Sequence, residues 1–199
     1  MKNKALYLDR DGTLIQERGH ISSPRQVRFI TGADKALRIF RKHGFSIVVI
    51  SNQSGVARGI LTENQVKKVN QHIRAALEKK GVEVEEIYYC PHHPDFGSSK
   101  YRRNCRCRKP APGMVRKAQK RFNLFGAISY VIGDKLTDIE LAGRIKGKGI
   151  LVLSGYGKEE LSKPENHTHR PDFVAKNLVE AAKWVASDLS RTSARSKNI

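Results

Sequence analysis

Acidic residues, aromatics, cysteines and long apolar runs are all scarce in this chain of 199 residues. The longest unbroken apolar stretches are four residues, such as Ile47 to Ile50 and Ile150 to Leu153. A membrane-spanning helix needs about 20 apolar residues, which excludes that class. Apolar character at the start is confined to Ala5 to Leu8 before charge returns at Asp9 and Arg10, so no secretory signal core is expected and the location expected is cytoplasmic. Only three cysteines occur, Cys90, Cys105 and Cys107. An odd, clustered set speaks against a disulfide framework and for metal binding or reactive thiols.

Acids are outnumbered: 19 Asp plus Glu face 38 Lys plus Arg, a net charge of +19. Ten basic residues and no acid lie between Lys100 and Arg121. Such a stretch calls for an anionic partner, a phosphorylated small molecule or nucleic acid. Aromatics make up 7% and only Tyr101 and Phe122 lie by this stretch, so a stacking platform for single strands has little support. Hydrophobic residues at 39% suffice for a folded core, and the length suits one domain.

What is present alternates strand and helix. Ala5–Leu8, Ile47–Ile50, Ile87–Cys90, Tyr130–Ile132 and Ile150–Leu153 read as buried strands, and Asp172–Ala175 as a weaker edge strand. Helices are expected from a Thr31 cap to His43-Gly44, from the Thr62-Glu63-Asn64-Gln65 capping box to Gly81, after Pro112, over Thr137–Ile145 and over Asn177–Ser187. The order predicts an α/β fold, Rossmann-like: a mostly parallel sheet with helices on both faces. Residues 1–188 are expected to form a single domain with a loop insert at about 90–110, followed by a polar, disordered tail over 189–199. His167-Thr168-His169 reads as a solvated loop.

In such folds ligands collect beyond the carboxyl ends of the strands. Asp9-Arg10-Asp11-Gly12-Thr13 follows the first strand, Ser51-Asn52-Gln53-Ser54-Gly55 the second, and Gly133-Asp134-Lys135 the fourth. An Asp-Gly-Thr turn is by itself an ordinary strand ending. A third carboxylate, Asp134, at another strand end shifts the balance towards a site for Mg²⁺ with oxygen ligands. Ser51 adds a hydroxyl and Lys109 a cation able to hold a phosphoryl group. Cys90-x-His92 and Cys105-x-Cys107 offer three thiolates and an imidazole, a set suited to tetrahedral Zn²⁺, with His93 as the alternative to His92.

These residues resemble the four motifs of the haloacid dehalogenase superfamily of phosphatases: Asp9-Arg10-Asp11-Gly12-Thr13-Leu14, Ser51, Lys109, and Gly133-Asp134-Lys135-Leu136-Thr137-Asp138. Ser51 to Gly59, Cys90 to Pro94 and Cys105 to Pro110 narrow the likeness to the zinc-bearing, histidinol-phosphatase-like sugar-bisphosphate phosphatases. The resemblance implies Asp9 as nucleophile, Asp11 as general acid and base, and Ser51 with Lys109 as stabilisers of the transferred group. It implies Mg²⁺ on Asp9, the Asp11 carbonyl and Asp134, and a structural Zn²⁺ on Cys90, His92, Cys105 and Cys107. Asp138 is read as metal support, as a partner of Lys135, or as an exposed helix residue.

The reaction so implied is removal of the 7-phosphate of D-glycero-D-manno-heptose 1,7-bisphosphate, in nucleotide-heptose (lipopolysaccharide core) synthesis. Substrate contacts are expected from Glu17, Arg18, Gly19, His20, Asn52, Gln53, Ser54, Arg108 and Lys135, with Arg108 reading the distal phosphate. The segment Glu17-Arg18-Gly19-His20 departs from the expected acid-His-Gly-Tyr pattern. No large cap domain interrupts the chain, and a monomer is expected, with neither nucleic acid nor membrane as partner. Rival readings are a histidinol-phosphate phosphatase, a nucleic-acid end phosphatase and a non-catalytic basic zinc module.

Overall fold

Six strands form a single sheet in the computed structural model, which describes residues 4–162 and 170–195. They are β1 (Lys4–Leu8), β2 (Phe45–Asn52), β3 (Glu86–Cys90), β4 (Ile128–Gly133), β5 (Lys148–Val152) and β6 (Phe173–Ala175). The order is β3-β2-β1-β4-β5-β6 and every pairing is parallel. Helices α1 (Ala33–Lys42), α2 (Glu63–Glu78), α3 (Gly113–Phe122), α4 (Leu136–Arg144), α5 (Gly157–Leu161) and α6 (Leu178–Arg195) supply the crossovers and flanks. The α/β reading and the expected edge strand are what is found.

The pleat sorts side chains by parity. Leu6 and Leu8 join Leu37 and Phe40 of α1, Val69 and Ile73 of α2 and Ala182 of α6 in one core. Ala5 and Tyr7 point the other way, against Met114 and Val115 of α3 and Leu141 of α4. Two buried faces explain why the strands read as unbroken apolar runs. The strand order reverses direction between β1 and β4, which opens a crevice above their carboxyl ends.

Two expectations need correction, and one local element is additional. Thr31 does not cap α1: the cap is Gly32 at φ 78° with no side-chain hydrogen bond, where a Cβ would come within 2.7 Å of Val179 on α6. Residues 189–195 are not a disordered tail, because α6 continues to Arg195 and Leu189 still packs on the core. Ser23 opens a 3₁₀ turn over Pro24–Gln26 with a complete capping box that went unread. The His167 to His169 stretch and residues 196–199 lie outside the described residues. No helix among the described residues is long and apolar enough to cross a membrane.

Candidate active site

At the end of β1 the Asp9 amide donates to Ile132 O on β4 at 2.8 Å, and the chain then turns back through Gly12 at φ 75°. A Cβ on Gly12 would overlap the Asp134 carboxylate, and one on Gly155 would overlap the same oxygen. The two glycines therefore let the turn after β1 and the turn after β5 close on Asp134. That carboxylate is fully buried. Its Oδ2 accepts the Tyr156 amide at 2.9 Å, while Oδ1 has no hydrogen-bond partner. Burial first, and the charge of Asp9 second, make it a weaker acid, with its pKa raised to about 8.

Lys109 reaches this point from the loop before α3 and is itself buried. Its Nζ lies 2.7 Å from Asp9 Oδ1 and 2.7 Å from Asp138 Oδ1, and donates to Ile50 O at 3.1 Å. Asp138 is fully buried on α4 and pairs with Lys109; the partnership with Lys135 and the exposed-helix alternative are both overturned. Burial raises its pKa to about 7 against the opposing pull of Lys109. Carboxylate oxygens of Asp9, Asp134 and Asp138 converge within 4.8 Å. Buried acids and an orphaned oxygen are what a hard divalent cation satisfies, so the residues fit Mg²⁺. The Asp11 carboxylate is not among these converging oxygens.

The Asp11 carboxylate takes Arg10 Nη2 at 2.9 Å, Gln53 Nε2 at 2.7 Å and Ser51 Oγ at 3.3 Å. Gln53, expected on substrate, thus spends its amide holding Asp11. Asn52 likewise grips the backbone of Lys109, accepting its N–H at 3.0 Å and donating to its carbonyl at 3.1 Å.

Asp9, Asp11, Ser51 and Lys109 open on a cleft of about 450 Å³. Glu17, Gly19, His20, Asn52, Gln53 and Ser54 line it, together with Arg108 and Lys135. Burial and the nearby Asp11 charge raise the pKa of Glu17 and make it a weaker acid. Arg18 alone of the expected substrate contacts is off the lining: Glu17 Oε1 accepts the Gly19 amide at 2.7 Å, and that tight turn throws Arg18 into solvent. Tyr156 and Thr137 are lining residues that sequence reading missed. The pair Gly155 and Gly157, just beyond a parallel strand, was the available signal for Tyr156. Its ring packs 4.6 Å from Lys135 Nζ.

Beside the cleft, Cys107 Sγ lies 3.2 Å from both Cys90 Sγ and Cys105 Sγ, and 3.3 Å from His92 Nδ1. All four donors fall within 4.8 Å of one another and the cysteines are free. His93 stands apart, bonded to the Asp95 amide through Nδ1. The hydrogen bond between Cys107 and Cys90 draws the Cys107 thiol down to about 5 and pushes Cys90 up. Three soft donors and one imidazole fit tetrahedral Zn²⁺. Arg108 Nη1 donates to His92 O at 3.1 Å, tying the cleft lining to this cluster.

Comparison with known proteins agrees with this geometry. Residues 106–181 match the family model described as HAD-hyrolase-like. The D-glycero-beta-D-manno-heptose-1,7-bisphosphate 7-phosphatase of Haemophilus ducreyi is 38% identical over 93% of this chain and 100% of its own length. The D-glycero-D-manno-heptose-1,7-bisphosphate 7-phosphatase of Chlorobaculum tepidum is 40% identical over 89% of this chain and 92% of its own. A crystal structure of D,D-heptose 1,7-bisphosphate phosphatase from B. bronchiseptica, complexed with magnesium and phosphate, superposes with a TM-score of 0.80 at 28% identity, covering 93% of this chain and 99% of that one. Fold and site thus define a phosphoric monoester hydrolase of the haloacid dehalogenase-like class. Within that class the chain belongs to the heptose-bisphosphate 7-phosphatase family.

Proposed function

We propose that this enzyme removes the 7-phosphate of D-glycero-D-manno-heptose 1,7-bisphosphate, leaving the heptose 1-phosphate for nucleotide-heptose synthesis. The observation that carries the reading is Asp9. It stands at the carboxyl end of β1 on the cleft wall, with Oδ1 2.7 Å from Lys109 and Asp11 two residues away. Asp9 attacks phosphorus in line and forms an aspartyl-phosphate. Asp11 gives a proton to the departing sugar oxygen, then takes one from the water that hydrolyses the intermediate. Lys109 and Ser51 hold the equatorial oxygens as charge builds on them.

Asp9, the Asp11 carbonyl and Asp134 would hold Mg²⁺, which when bound shields nucleophile and phosphate from each other's charge. Cys90, His92, Cys105 and Cys107 would hold a Zn²⁺ with no open position, a structural ion. Arg108, in the cleft lining and tethered to His92, suits the second phosphate through its planar fork. Glu17, Gly19, His20, Ser54 and Lys135 complete the sugar-facing wall. The enzyme works as a cytoplasmic monomer, without nucleic acid. The experiment is turnover of the heptose bisphosphate against histidinol phosphate and a phosphorylated oligonucleotide end, with identification of the phosphate lost. Preference for either rival, or loss of the 1-phosphate, overturns the assignment.

A further inference from the structure

Arg10 stands between the two carboxylates of the first turn, and neither the fold nor the reaction as written needs it. Its side chain is 1% exposed, the largest of the fully buried ones among the described residues. A guanidinium withdrawn from water costs several kcal/mol unless its donors meet a carboxylate and further acceptors. Arg10 has both. Nε lies 3.0 Å from Asp11 Oδ2 and Nη2 lies 3.0 Å from Asp11 Oδ1, a fork on both oxygens. Nη1 donates at 2.8 Å to Oδ1 of Asn70, a buried residue of α2. Gln53 closes on the same carboxylate at 2.7 Å and hands a second hydrogen bond to Ser51 Oγ at 2.8 Å. Only 14% of the Asp11 side chain remains exposed, and it lines the cleft. An apolar residue would fill a buried position as well or better. The fork therefore points to orientation rather than stability.

We propose that Arg10, braced by Asn70, is a positioning residue that holds the Asp11 carboxylate in reach of both proton transfers. The inference rests on the phosphatase reading above. In the first step the bond from Asp9 to phosphorus forms, the ester P–O bond breaks, and the leaving oxygen takes the Asp11 proton. In the second, water oxygen bonds to phosphorus, its proton passes to Asp11, and the P–O bond to Asp9 breaks to release phosphate. A carboxylate free to turn slows each proton-dependent event, and misplacement by about 1 Å is worth about 10²-fold.

The test follows nitrophenolate release from nitrophenyl phosphate before the steady state, because this leaving group departs without a proton. Arg10→Lys keeps a charge and loses the fork. Asn70→Ala keeps the fork and loses its brace. For Arg10→Lys we expect one equivalent per site at close to the wild-type rate, then a steady state slowed about 10²-fold as hydrolysis becomes limiting. Asn70→Ala should shift in the same direction by less, and it carries the test if Arg10→Lys does not fold. Equal losses in burst and steady state, in either folded variant, overturn the proposal. Asp9→Asn is the control: release that survives it removes the phosphatase reading itself, a different failure.

Discussion

Replacing Lys109 by Met separates what its charge does for the fold from what it does for the reaction. Its Nζ bridges Asp9 and Asp138 at 2.7 Å each, with 3% of the side chain exposed. Burial alone would drive the amine towards neutrality, but Asp138 and then Asp9 outweigh it and hold the ammonium charged well above its ordinary range. Methionine has a similar length and leaves no large cavity, so the loss is electrostatic. At 2.7 Å and an effective dielectric of about 20, each attraction is about 6 kcal/mol before desolvation is subtracted. Stranding a buried partner costs about 3–5 kcal/mol net. Urea unfolding should show that loss, and phosphate release should fall about 10²–10³-fold for want of the donor. In Lys109→Met/Asp138→Leu the stranded acid is gone, so at least about 2 kcal/mol of stability should return while turnover does not. A single variant within about 1 kcal/mol of wild type would refute the ion cluster. A double variant that regains turnover would refute the chemical role of Lys109.

Three further outcomes are expected. Purified protein should carry one Zn²⁺ per chain, absent from Cys105→Ser, and that variant should be cut by protease between Pro91 and Pro110; an ordered loop without zinc counts against the site. Arg108→Ala should raise KM for the bisphosphate about 10–100-fold, the loss of a charge-assisted bond, and leave simple monophosphates nearly unchanged; equal effects on both would remove its distal-phosphate role. Asp134 and Asp138 are raised from 3.8 to about 8 and about 7. The folded protein therefore binds protons that the unfolded chain has released, and these two acids make stability fall as pH rises from about 4 to 8 without divalent cation. Asp134→Asn should flatten that slope in thermal melts, as should added Mg²⁺; an unchanged slope in the variant contradicts the burial argument.

Strand placement and the chemical cluster were legible because both follow from local pattern. Ile47–Ile50 and Ile150–Val152 are wholly buried, and their runs could be nothing but central strands. Partner choice was not legible. Asn52 and Gln53 sit in the expected place, yet their amides hold the Lys109 backbone and the Asp11 carboxylate, a use that depends on where residues 11 and 109 arrive in space. The sequence leaves Asp138 between metal support, a Lys135 partner and an exposed helix residue, because helical periodicity says nothing of a lysine entering from another loop. The Thr31 cap failed for a similar reason: α6, far along the chain, comes so close that only glycine fits at position 32.

The lysine proposed to act in the reaction comes from a stretch without helix or strand, and that bears on what the proposed zinc would do. Residues 91–112 carry no helix or strand, yet Lys109 must meet Asp9 within a few tenths of an ångström. Hydrogen bonds anchor this stretch at several points. Tyr101 donates to Glu63 at the start of α2 at 2.8 Å, and Asn52 clamps the Lys109 peptide. Arg108 Nη1 donates to His92 O and Lys109 Nζ to Ile50 O, each at 3.1 Å. Each such bond is worth about 0.5–1.5 kcal/mol net. On the proposed reading a structural zinc would add about 10–16 kcal/mol of folding free energy and would fix Cys107, two residues before Lys109. It would touch no substrate and still bear on the rate, because it would hold the stretch that carries the lysine.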